Sequence, residues 1–427
     1  MAGNGQPLRW ATLPEMLNLP GGWELRPLLS LAEFIAGQSP DSEYVNITGE
    51  GLPFLQGCAE FTDRYPIPQN WCSKPERKAD AGATLVSVRA PVGDLNRADQ
   101  TYGLGRGLGA LVAKDVHPDY LFHGMFRWRF CLQRVGQGTT FDAVTARHFA
   151  ALSVAIPKQQ SEQRAIAAVL DAADAAIERT RAAVEAARRV KRGLVQQFFE
   201  AGLGRVSCAD SPAAELAKGW RLVQTGKLLL GEPKNGISPN TESAPPGFIT
   251  FSIAAVRDGR VDLLNRDHWK YARIPPDQAD PYRLNRGDLL IVRGNANPDL
   301  VGKCGIVEEM PADCIYPDIL KRVHFDTGPD GFDPRFAEIA WNHAVVHNQI
   351  LKRAKTSNGT LKVNSRDVKQ VVMPVPPRAE QERLVATVRA AESLERSLTA
   401  TLTAHERLKR GLMQVLLTGR VRVPVSE

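Results

Sequence analysis

Two segments of the chain, residues 161–195 and 379–413, align without a gap at an offset of 218 positions. Both carry Glu-Gln near their start and Lys-Arg-Gly-Leu near their end. A period of about 200 residues is too long for a solenoid repeat and indicates a duplicated module. This duplication constrains the fold most, because any architecture for the 427 residues must contain the same long helix twice.

Each repeated segment ends a longer module that has the same layout in both halves of the chain. A Gly-Trp pair opens each module, at Trp23 and Trp220, and a proline-containing stretch, "IPKQQ" or "MPVPP", precedes each helix. Proline disfavours helix in the residue before it, so these stretches mark helix starts. The predicted organisation is an N-terminal arm (1–20), a mixed domain (21–158), a central helix (159–200), a linker (201–217), a second mixed domain (218–375), a C-terminal helix (376–418) and a tail (419–427).

The two mixed domains alternate short β-like runs with turns rich in Gly, Pro and Asn. Examples of the runs are "ATLVSVRA" in the first domain and "GDLLIVRG" in the second, and a helical stretch lies around residues 337–353. Such spacing predicts strands and helices in one globular unit. The predicted fold class is α+β, with two mixed α/β domains separated by two long helices.

The repeated helices have a heptad pattern. From Ile166 onward, apolar or small residues recur in alternating steps of four and three, which is typical of a coiled-coil seam. Lys191, Glu395, His405 and Lys409 interrupt this seam. Acidic residues lie early and basic residues late in each helix. Helix-dipole compensation alone explains that gradient, but it also favours antiparallel over parallel pairing. We therefore predict an intramolecular antiparallel coiled coil and a pseudo-twofold repeat.

Composition narrows the class of protein without identifying it. The net charge is +7, yet residues 21–158 hold fourteen basic and fourteen acidic side chains, against 22 and 18 in residues 218–375. Charge alone is thus a weak argument for nucleic acid. No apolar run reaches the roughly 18 residues of a membrane span, and the N-terminus lacks the apolar core of a signal peptide, so we expect a cytoplasmic protein. Six scattered cysteines predict free thiols.

The sequence contains none of the motifs of an enzyme that acts on DNA. An adenine methyltransferase needs an Asn/Asp-Pro-Pro-aromatic loop to hold the extruded base, and no such loop or P-loop is present. "GLGRGLG" (103–109) does not have dinucleotide-loop spacing. Two interpretations of it stay open, a tight turn and a backbone approach to phosphate. We predict no catalytic residue, no metal ligand and no cofactor site.

A twofold arrangement of two domains at a fixed separation suits duplex DNA, and the motifs point the same way. The chain resembles the specificity subunit of type I restriction–modification enzymes over nearly its whole length. The resemblance rests on Pro…Glu-Gln opening a long helix that ends in Lys-Arg-Gly-Leu, twice, and on "ATLVSVRAPVGDLNRA", "YGLGRGLGAL" and "GDLLIVRGNANPDLVGKCGIV", which are similar to parts of target-recognition domains. "IPKQQSEQ" is one residue shorter than "MPVPPRAEQ", which affects only the start of the first helix.

The resemblance implies a noncatalytic, nucleoid-associated subunit. Each recognition domain would read one half of a bipartite sequence in double-stranded DNA, and the helices would set the unread gap. Two methyltransferase subunits would dock on the helices and methylate adenine with S-adenosylmethionine, which they and not this chain would bind. Restriction subunits, which act as translocase and endonuclease, are further implied partners.

Residue type and position next to turns select the candidate DNA contacts. Arg, Lys, Asn and Gln suit base edges, and Arg, Lys and backbone amides suit phosphates. In the first domain the candidates are Arg89 and Arg106, with Lys74, Arg77 and Lys78 on phosphates. In the second they are Arg293, Asn295 and Lys303, with Lys352, Arg353, Lys355 and Asn358 near a Gly-Thr element (359–360).

Two other functions fit the same pattern. One is a stand-alone two-domain DNA-binding regulator, which would not need the outer surface of the helices. The other is a coiled-coil adaptor between proteins, without a role on DNA. Capture of a methyltransferase partner separates the first from our interpretation, and salt-dependent DNA binding separates the second.

Overall fold

The computed structural model describes residues 13, 18–135, 143–204, 216–328, 331–357 and 359–424. Its contacts divide the chain into two compact units, unit 1 (Met1–Ala182 with Thr399–Glu427) and unit 2 (Ala183–Leu398). Each unit therefore takes part of both long helices, which the linear domain prediction did not anticipate. In the described part of the chain, every helix is too short or too polar to cross a membrane.

The described residues of unit 1 form three antiparallel or mixed sheets. The strands are β1 (Trp23–Pro27), β2 (Ala32–Ala36), β3 (Val45–Asn46), β4 (Leu52–Leu55), β5 (Asn70–Cys72), β6 (Lys78–Ala79), β7 (Thr84–Ser87), β8 (Leu95–Arg97), β9 (Tyr102–Leu104), β10 (Leu108–Ala113) and β11 (Ser153–Pro157). The strand orders are β2-β10-β7-β8, β3-β5-β4-β9-β6 and β1-β11. The predicted strand in "ATLVSVRA" is confirmed as β7.

The helices of this half are α1 (Leu28–Leu31), α2 (Pro118–Val135), α3 (Ala146–Ala151) and the long α4 (Gln160–Leu203). Pro118 occupies the first position of α2, where its missing N–H costs nothing. The main core lies between α2 and the β2-β10-β7-β8 sheet, and residues from the start of α4 belong to it. Its buried residues include Val86, Leu111, Met125 and Ile166.

Unit 2 has the same kind of architecture with different strands. They are β12 (Arg221–Gln224), β13 (Lys234–Asn235), β14 (Thr241–Glu242), β15 (Phe248–Phe251), β16 (Val256–Arg257), β17 (Arg260–Val261), β18 (Trp269–Ala272), β19 (Leu289–Val292), β20 (Gly294–Asn295), β21 (Cys304–Ile306), β22 (Leu320–Val323), β23 (Lys355–Ser357), β24 (Thr360–Lys362) and β25 (Val372–Val375). The largest sheet has the order β13-β22-β19-β21-β17-β16.

Its helices are α5 (Pro276–Ala279), α6 (Pro334–Asn342), α7 (Ala344–Arg353), α8 (Ser365–Gln370) and the long α9 (Arg378–Leu416). The helical stretch predicted around residues 337–353 is present, but it breaks at His343, which is extended and caps α7. The buried cluster includes Phe199, Trp220, Phe336, Trp341 and Val388. The mixed α+β class is confirmed.

The two long helices pair in antiparallel fashion. In unit 1 the Lys409 ammonium pairs with Asp174, and Thr180 hydrogen-bonds His405 at 3.2 Å. In unit 2 Lys191 Nζ lies 3.0 Å from a Glu395 carboxylate oxygen and 4.0 Å from one of Glu392. At the 218-residue offset, Lys191 is equivalent to Lys409 and Asp174 is equivalent to Glu392. Lys409–Asp174 and Lys191–Glu392 are therefore equivalent contacts, and both repeats have the same interhelix register.

The polar interruptions of the heptad seam therefore have polar partners on the other helix. Lys191, Glu395, His405 and Lys409 each contact a polar side chain of the other helix. Burial would raise the pKa of Glu395, but the hydrogen bonds from Arg188 and Lys191 hold it below its ordinary value. An interhelix charge pair penalises any shifted alignment, because the shift would leave both charges unpaired.

A two-stranded sheet joins the opening strand of each module to the strand before its long helix. β1 pairs with β11 and β12 pairs with β25, both antiparallel. Each opening tryptophan also packs against a glycine near the end of the long helix of the other module. Trp23 packs against Gly419, where an added Cβ would lie 2.9 Å from the indole ring. Trp220 packs against Gly202, where an added Cβ would overlap the ring. Each unit thus combines the start of one long helix with the end of the other.

Candidate nucleic-acid interface

In unit 1, main-chain hydrogen bonds gather the predicted contact residues around the β9–β10 turn. Leu104 N donates to Arg77 O at 2.9 Å, and Val88 N donates to Gly107 O at 2.9 Å. Arg77 and Arg89 therefore flank the turn that carries Arg106. All three, and the predicted Lys74 and Lys78 of the same β5–β6 region, are exposed. We call this basic surface the hairpin edge.

The glycines of "GLGRGLG" serve close packing at the hairpin edge. A Cβ on Gly103 would lie 2.9 Å from Pro75, and one on Gly105 would lie 2.7 Å from Gln56 Oε1. A Cβ on Gly107 would lie 2.7 Å from the Gln56 carbonyl oxygen. The segment is a tight turn between two strands, which confirms the first of the two interpretations of this motif.

Ser39 and Gln56, which residue type and spacing did not single out, also lie at the hairpin edge. Gln56 Nε2 donates to Ser39 Oγ at 3.0 Å, and Arg106 N donates to the same oxygen at 3.5 Å. The only sequence signal is indirect: Gln56 follows β4, the strand that runs parallel to β9. Parallel neighbours place their carboxyl ends at one edge of a sheet.

In unit 2, a small sheet brings part of the predicted set together. β24 pairs with both β20 and β23, which places Lys362 opposite Gly294 on one side and Lys355 on the other. Val363 N donates to Arg293 O at 2.8 Å. Arg293, Asn295 and Lys355 therefore lie around β24, and Lys362 joins them although it was not predicted. The alternation of apolar and polar residues from Leu361 to Val363 was the available sequence signal for it.

The remaining candidates of unit 2 stand apart from this sheet. Lys303 Nζ is 3.5 Å from the carbonyl oxygen of Asn342, and burial lowers the pKa of its ammonium. Arg353 donates to Gln349 O at 2.9 Å within α7, so it caps the carbonyls at the end of that helix. Lys352 lies on the same turn and is exposed. Asn358 lies outside the described residues.

The duplicated Glu-Gln fixes each mixed domain to its long helix. Gln163 Oε1 accepts the N–H of His117, directly before α2, at 2.8 Å. Gln381 Oε1 accepts the N–H of Asp333, directly before α6, at 2.9 Å. Both amides also donate to the main chain before their own helix, at Pro157 and Pro376. The repeated Gln is therefore a buried hydrogen-bonding contact, a joint between helix and domain, which fixes the orientation of the helix relative to the domain.

Charged side chains add a second joint in unit 2. Arg335, only 2% exposed, donates to Glu392 of α9 at 2.5 Å and lies 2.9 Å from Glu338. Arg260 donates to the other Glu392 oxygen at 2.5 Å. Burial raises the pKa of Glu338 to about 7, against the charge of Arg335 and a hydrogen bond from Asn342. This network joins α6 and β17 to α9.

One group of described residues has the chemistry of a metal site, namely His123, Asp171 and Asp174, whose ligand atoms lie within 4.8 Å of one another. Both carboxylates already have cationic partners, Arg64 at 2.8 Å from Asp171 and Lys409 at Asp174. Burial would raise the pKa of Asp171, but the contacts with His123 and Arg64 lower it. We interpret the group as an ion-pair cluster that fixes α2 to α4 and α9.

Comparison with known proteins relates this architecture to one family. The family model for the type I restriction modification DNA specificity domain matches residues 20–186. The putative type I restriction enzyme MjaX specificity subunit of Methanocaldococcus jannaschii is 36% identical over 185 residues, which are 42% of this chain and 43% of that protein. The EcoKI specificity subunit of Escherichia coli K12 is 22% identical over 94% of this chain and 90% of its own length.

The matched domain and these relatives indicate a type I specificity subunit. The fold of the chain agrees with solved structures. The S subunit from M. genitalium matches with a TM-score of 0.60 at 14% identity, covering 93% of this chain and 96% of that one. A chain from a study of complex assembly in a type I R-M system matches with a TM-score of 0.53 at 17% identity, covering 95% and 100%. The two mixed domains and the paired long helices are thus a shared architecture.

Proposed function

We propose that this specificity subunit reads a bipartite target in double-stranded DNA, one half with each unit, and that its paired helices set the unread gap. The observation that carries the proposal is the duplication itself. Lys191–Glu392 and Lys409–Asp174 are equivalent pairs in one antiparallel register, while the two mixed domains have different strands and different exposed basic residues. Equivalent helices that carry two domains with different surfaces suit two different half-sites.

We further propose that the helices dock adenine methyltransferase subunits, which supply S-adenosylmethionine and the chemistry, so that this chain is noncatalytic alone. Restriction subunits complete the assembly that cleaves. The support comes from residues that both helices share on their outer surface. Val190 and Leu408 are equivalent, and they are 58% and 56% exposed. Equal residues at buried positions follow from packing, but similar apolar residues at exposed positions indicate a common partner.

Two glycines strengthen the argument for docking. Gly193 and Gly411 are equivalent and lie inside their helices, and a Cβ on either would meet nothing within 4 Å. Glycine inside an exposed helix destabilises it by about 0.5–1 kcal/mol relative to alanine. The fold gives no reason for this cost in either copy, whereas a partner backbone that approaches the helix closely does.

Insertion of one heptad into both helices tests the proposed role in spacing. A heptad adds about 10.5 Å of helix, which corresponds to roughly three base pairs of duplex at 3.4 Å each. Insertion after Ala182 and after Thr401 keeps the interhelix pairs on both sides of the insertion. We expect the methylated motif to keep both halves and to gain about three base pairs between them. Sequencing of methylated adenines in a host genome measures this, and an unchanged gap would refute it.

Replacement of residues 21–158 by the corresponding domain of a relative tests the two-reader model. We expect one half of the methylated motif to change and the other half to stay. A change in both halves would contradict the assignment of one half-site to each unit.

Surface substitutions on the helices test docking separately. Leu408→Asp should weaken capture of the methyltransferase subunit, and Val190→Asp combined with it should weaken capture further. Leu394 is a matched control, because it is 55% exposed on the same helix but its equivalent position is Ala176. Capture that is equally reduced by Leu394→Asp, or unaffected by the double substitution, would place the docking surface elsewhere.

A further inference from the structure

Three separate loops bring polar side chains to one point of the hairpin edge. Ser39 follows β2, Gln56 follows β4 and Arg106 lies at the tip of the β9–β10 turn. Ser39 Oγ accepts hydrogen bonds from both neighbours, at 3.0 Å from Gln56 Nε2 and 3.5 Å from Arg106 N. The serine therefore sets the position of the glutamine amide relative to the arginine.

The backbone beneath these side chains is fixed by unusually close packing. Gly105 N donates to Leu55 O at 2.8 Å, and Gly107 N donates to Gln56 O at 3.2 Å. A Cβ on Gly105 would lie 2.8 Å from Gln56 Cα, and one on Gly107 would lie 2.7 Å from Gln56 O. Neither glycine has a positive φ, so it is the close approach and not the backbone conformation that requires them. The turn is built to rest directly on Gln56.

The head groups held in this way are exposed and largely unused. Among the described residues, the Arg106 guanidinium has neither an ion pair nor a hydrogen bond, and the Gln56 amide oxygen accepts none. Several other arginines of the same unit differ in this respect: Arg26, for example, pairs with Asp115 at 2.7 Å. A fixed turn that carries a free guanidinium next to a glutamine with a free amide oxygen is arranged for a ligand outside the chain.

We infer that Gln56 and Arg106 form a base-reading pair for two neighbouring base pairs in the major groove. This inference rests on the proposed function and names the residues that carry it out in unit 1. Arginine donates two hydrogen bonds to O6 and N7 of guanine, and glutamine both accepts from N6 and donates to N7 of adenine. The fixed Gln56 amide and the fixed main chain of Arg106 favour discrimination between bases, because a wrong base cannot be accommodated by movement of the loops that carry them.

The neighbouring basic residues have a different role. Arg77, Lys78 and Arg89 flank the turn on both sides, and Lys74 lies over the Tyr44 ring at 5.2 Å. Exposed cations around the pair suit phosphates, whose contacts orient the protein without selecting a sequence. In this inference one pair selects bases and the surrounding cations hold the DNA backbone.

The test compares methylated motifs in cells that express the whole methyltransferase complex with variant specificity subunits. Gln56→Ala and Arg106→Ala should each relax one position of one half-site, with discrimination at that position falling roughly five- to hundredfold. Gln56→Glu should change the preferred base at its position, because a carboxylate accepts from N4 of cytosine but cannot donate to adenine. Lys114→Ala, just past the far end of β10, is the control and should leave the motif unchanged.

Each outcome decides the inference. An unchanged motif in Gln56→Ala and Arg106→Ala would overturn it. A uniform loss of methylation at all sites, together with a weaker salt dependence of DNA binding by the complex, would also overturn it. That pattern indicates a phosphate contact. If Gln56→Ala does not fold, the isosteric Gln56→Glu gives the answer, and methylation at the other half-site confirms folding of the complex. Failure of the unsubstituted complex to methylate any bipartite motif would instead refute the proposed function.

Discussion

Substitution of Glu338 by glutamine tests the energetics of the charged joint between α6 and α9. Glu338 lies 2.9 Å from Arg335 and accepts a hydrogen bond from Asn342 at 2.6 Å. It is 4% exposed, and burial raises its pKa from 4.5 to about 7. The folded protein therefore keeps a proton at this site that the unfolded chain releases between pH 4.5 and 7.

The sign of the effect follows from this difference in proton binding. Because the native state binds more protons in that window, the free energy of unfolding falls as the pH rises from 4.5 to 7. A tenfold change in the proton affinity of the carboxylate is worth about 1.4 kcal/mol, so Glu338 removes roughly 3 kcal/mol of stability across the window. Glutamine does not titrate, so Glu338→Gln lacks this contribution at every pH.

The assay is urea unfolding of the wild type and of Glu338→Gln at pH 5, 6, 7 and 8, followed by hydrogen exchange of peptides from α6. We expect the stability of the variant, relative to the wild type, to increase by about 2–3 kcal/mol between pH 5 and 8. Glu382→Gln, at a carboxylate that is 59% exposed, controls for the loss of one negative charge. A difference between variant and wild type that does not change with pH would refute the reasoning, because Glu338 would then be ionised throughout beside Arg335.

Three further predictions concern contacts of unit 1. Lys409→Glu should lower the unfolding free energy by about 2–3 kcal/mol. Combination with Asp174→Lys should restore most of this loss in thermal melts. An additive loss in the double variant would contradict the interhelix pair. Arg422 makes hydrogen bonds of 2.6 and 2.7 Å to Glu162, so Arg422→Ala should cost about 2 kcal/mol, with the exposed Arg420→Ala as control for the melt. Gly105→Ala should reduce methylation at the unit 1 half-site by about tenfold or more. The added Cβ would lie 2.7 Å from Gln56 Oε1, and this overpacking displaces the turn. Gly57→Ala is the control, because its Cβ would lie in open space, and it should leave methylation unchanged.

The sequence predicted the architecture because the duplication links distant residues. The two helices, their antiparallel direction and the Pro-marked starts all follow from the 218-residue offset and the charge gradient. The first helix begins at Gln160 and the second at Arg378, so the one-residue difference between "IPKQQSEQ" and "MPVPPRAEQ" is absorbed before the helices start. The heptad pattern described Lys191 and Lys409 as interruptions, but each pairs with an acidic side chain of the other helix. Periodicity along one helix cannot show which residue of the other helix faces it.

The details of the candidate site could not be predicted in the same way. Lys303 resembles a DNA contact in sequence, yet its ammonium turns towards the Asn342 carbonyl. Gln56 carries no local signal, because its role depends on glycines about fifty positions later that pack against its backbone. Contact residues on loops are defined by which loops meet, and that is set by strand order and not by local pattern.

The division of the long helices between units has a consequence for the order of folding. Unit 2 is one continuous stretch, Ala183–Leu398, whereas unit 1 needs Thr399–Glu427 to complete it, and Leu416 and Leu417 belong to its core. On the ribosome, unit 1 must wait for the roughly 245 residues that follow Ala182, which take on the order of ten to fifty seconds at 5–20 residues per second. The half of the protein made first is therefore finished last, and its apolar surface, including Leu170 and Trp23, stays uncovered during that interval.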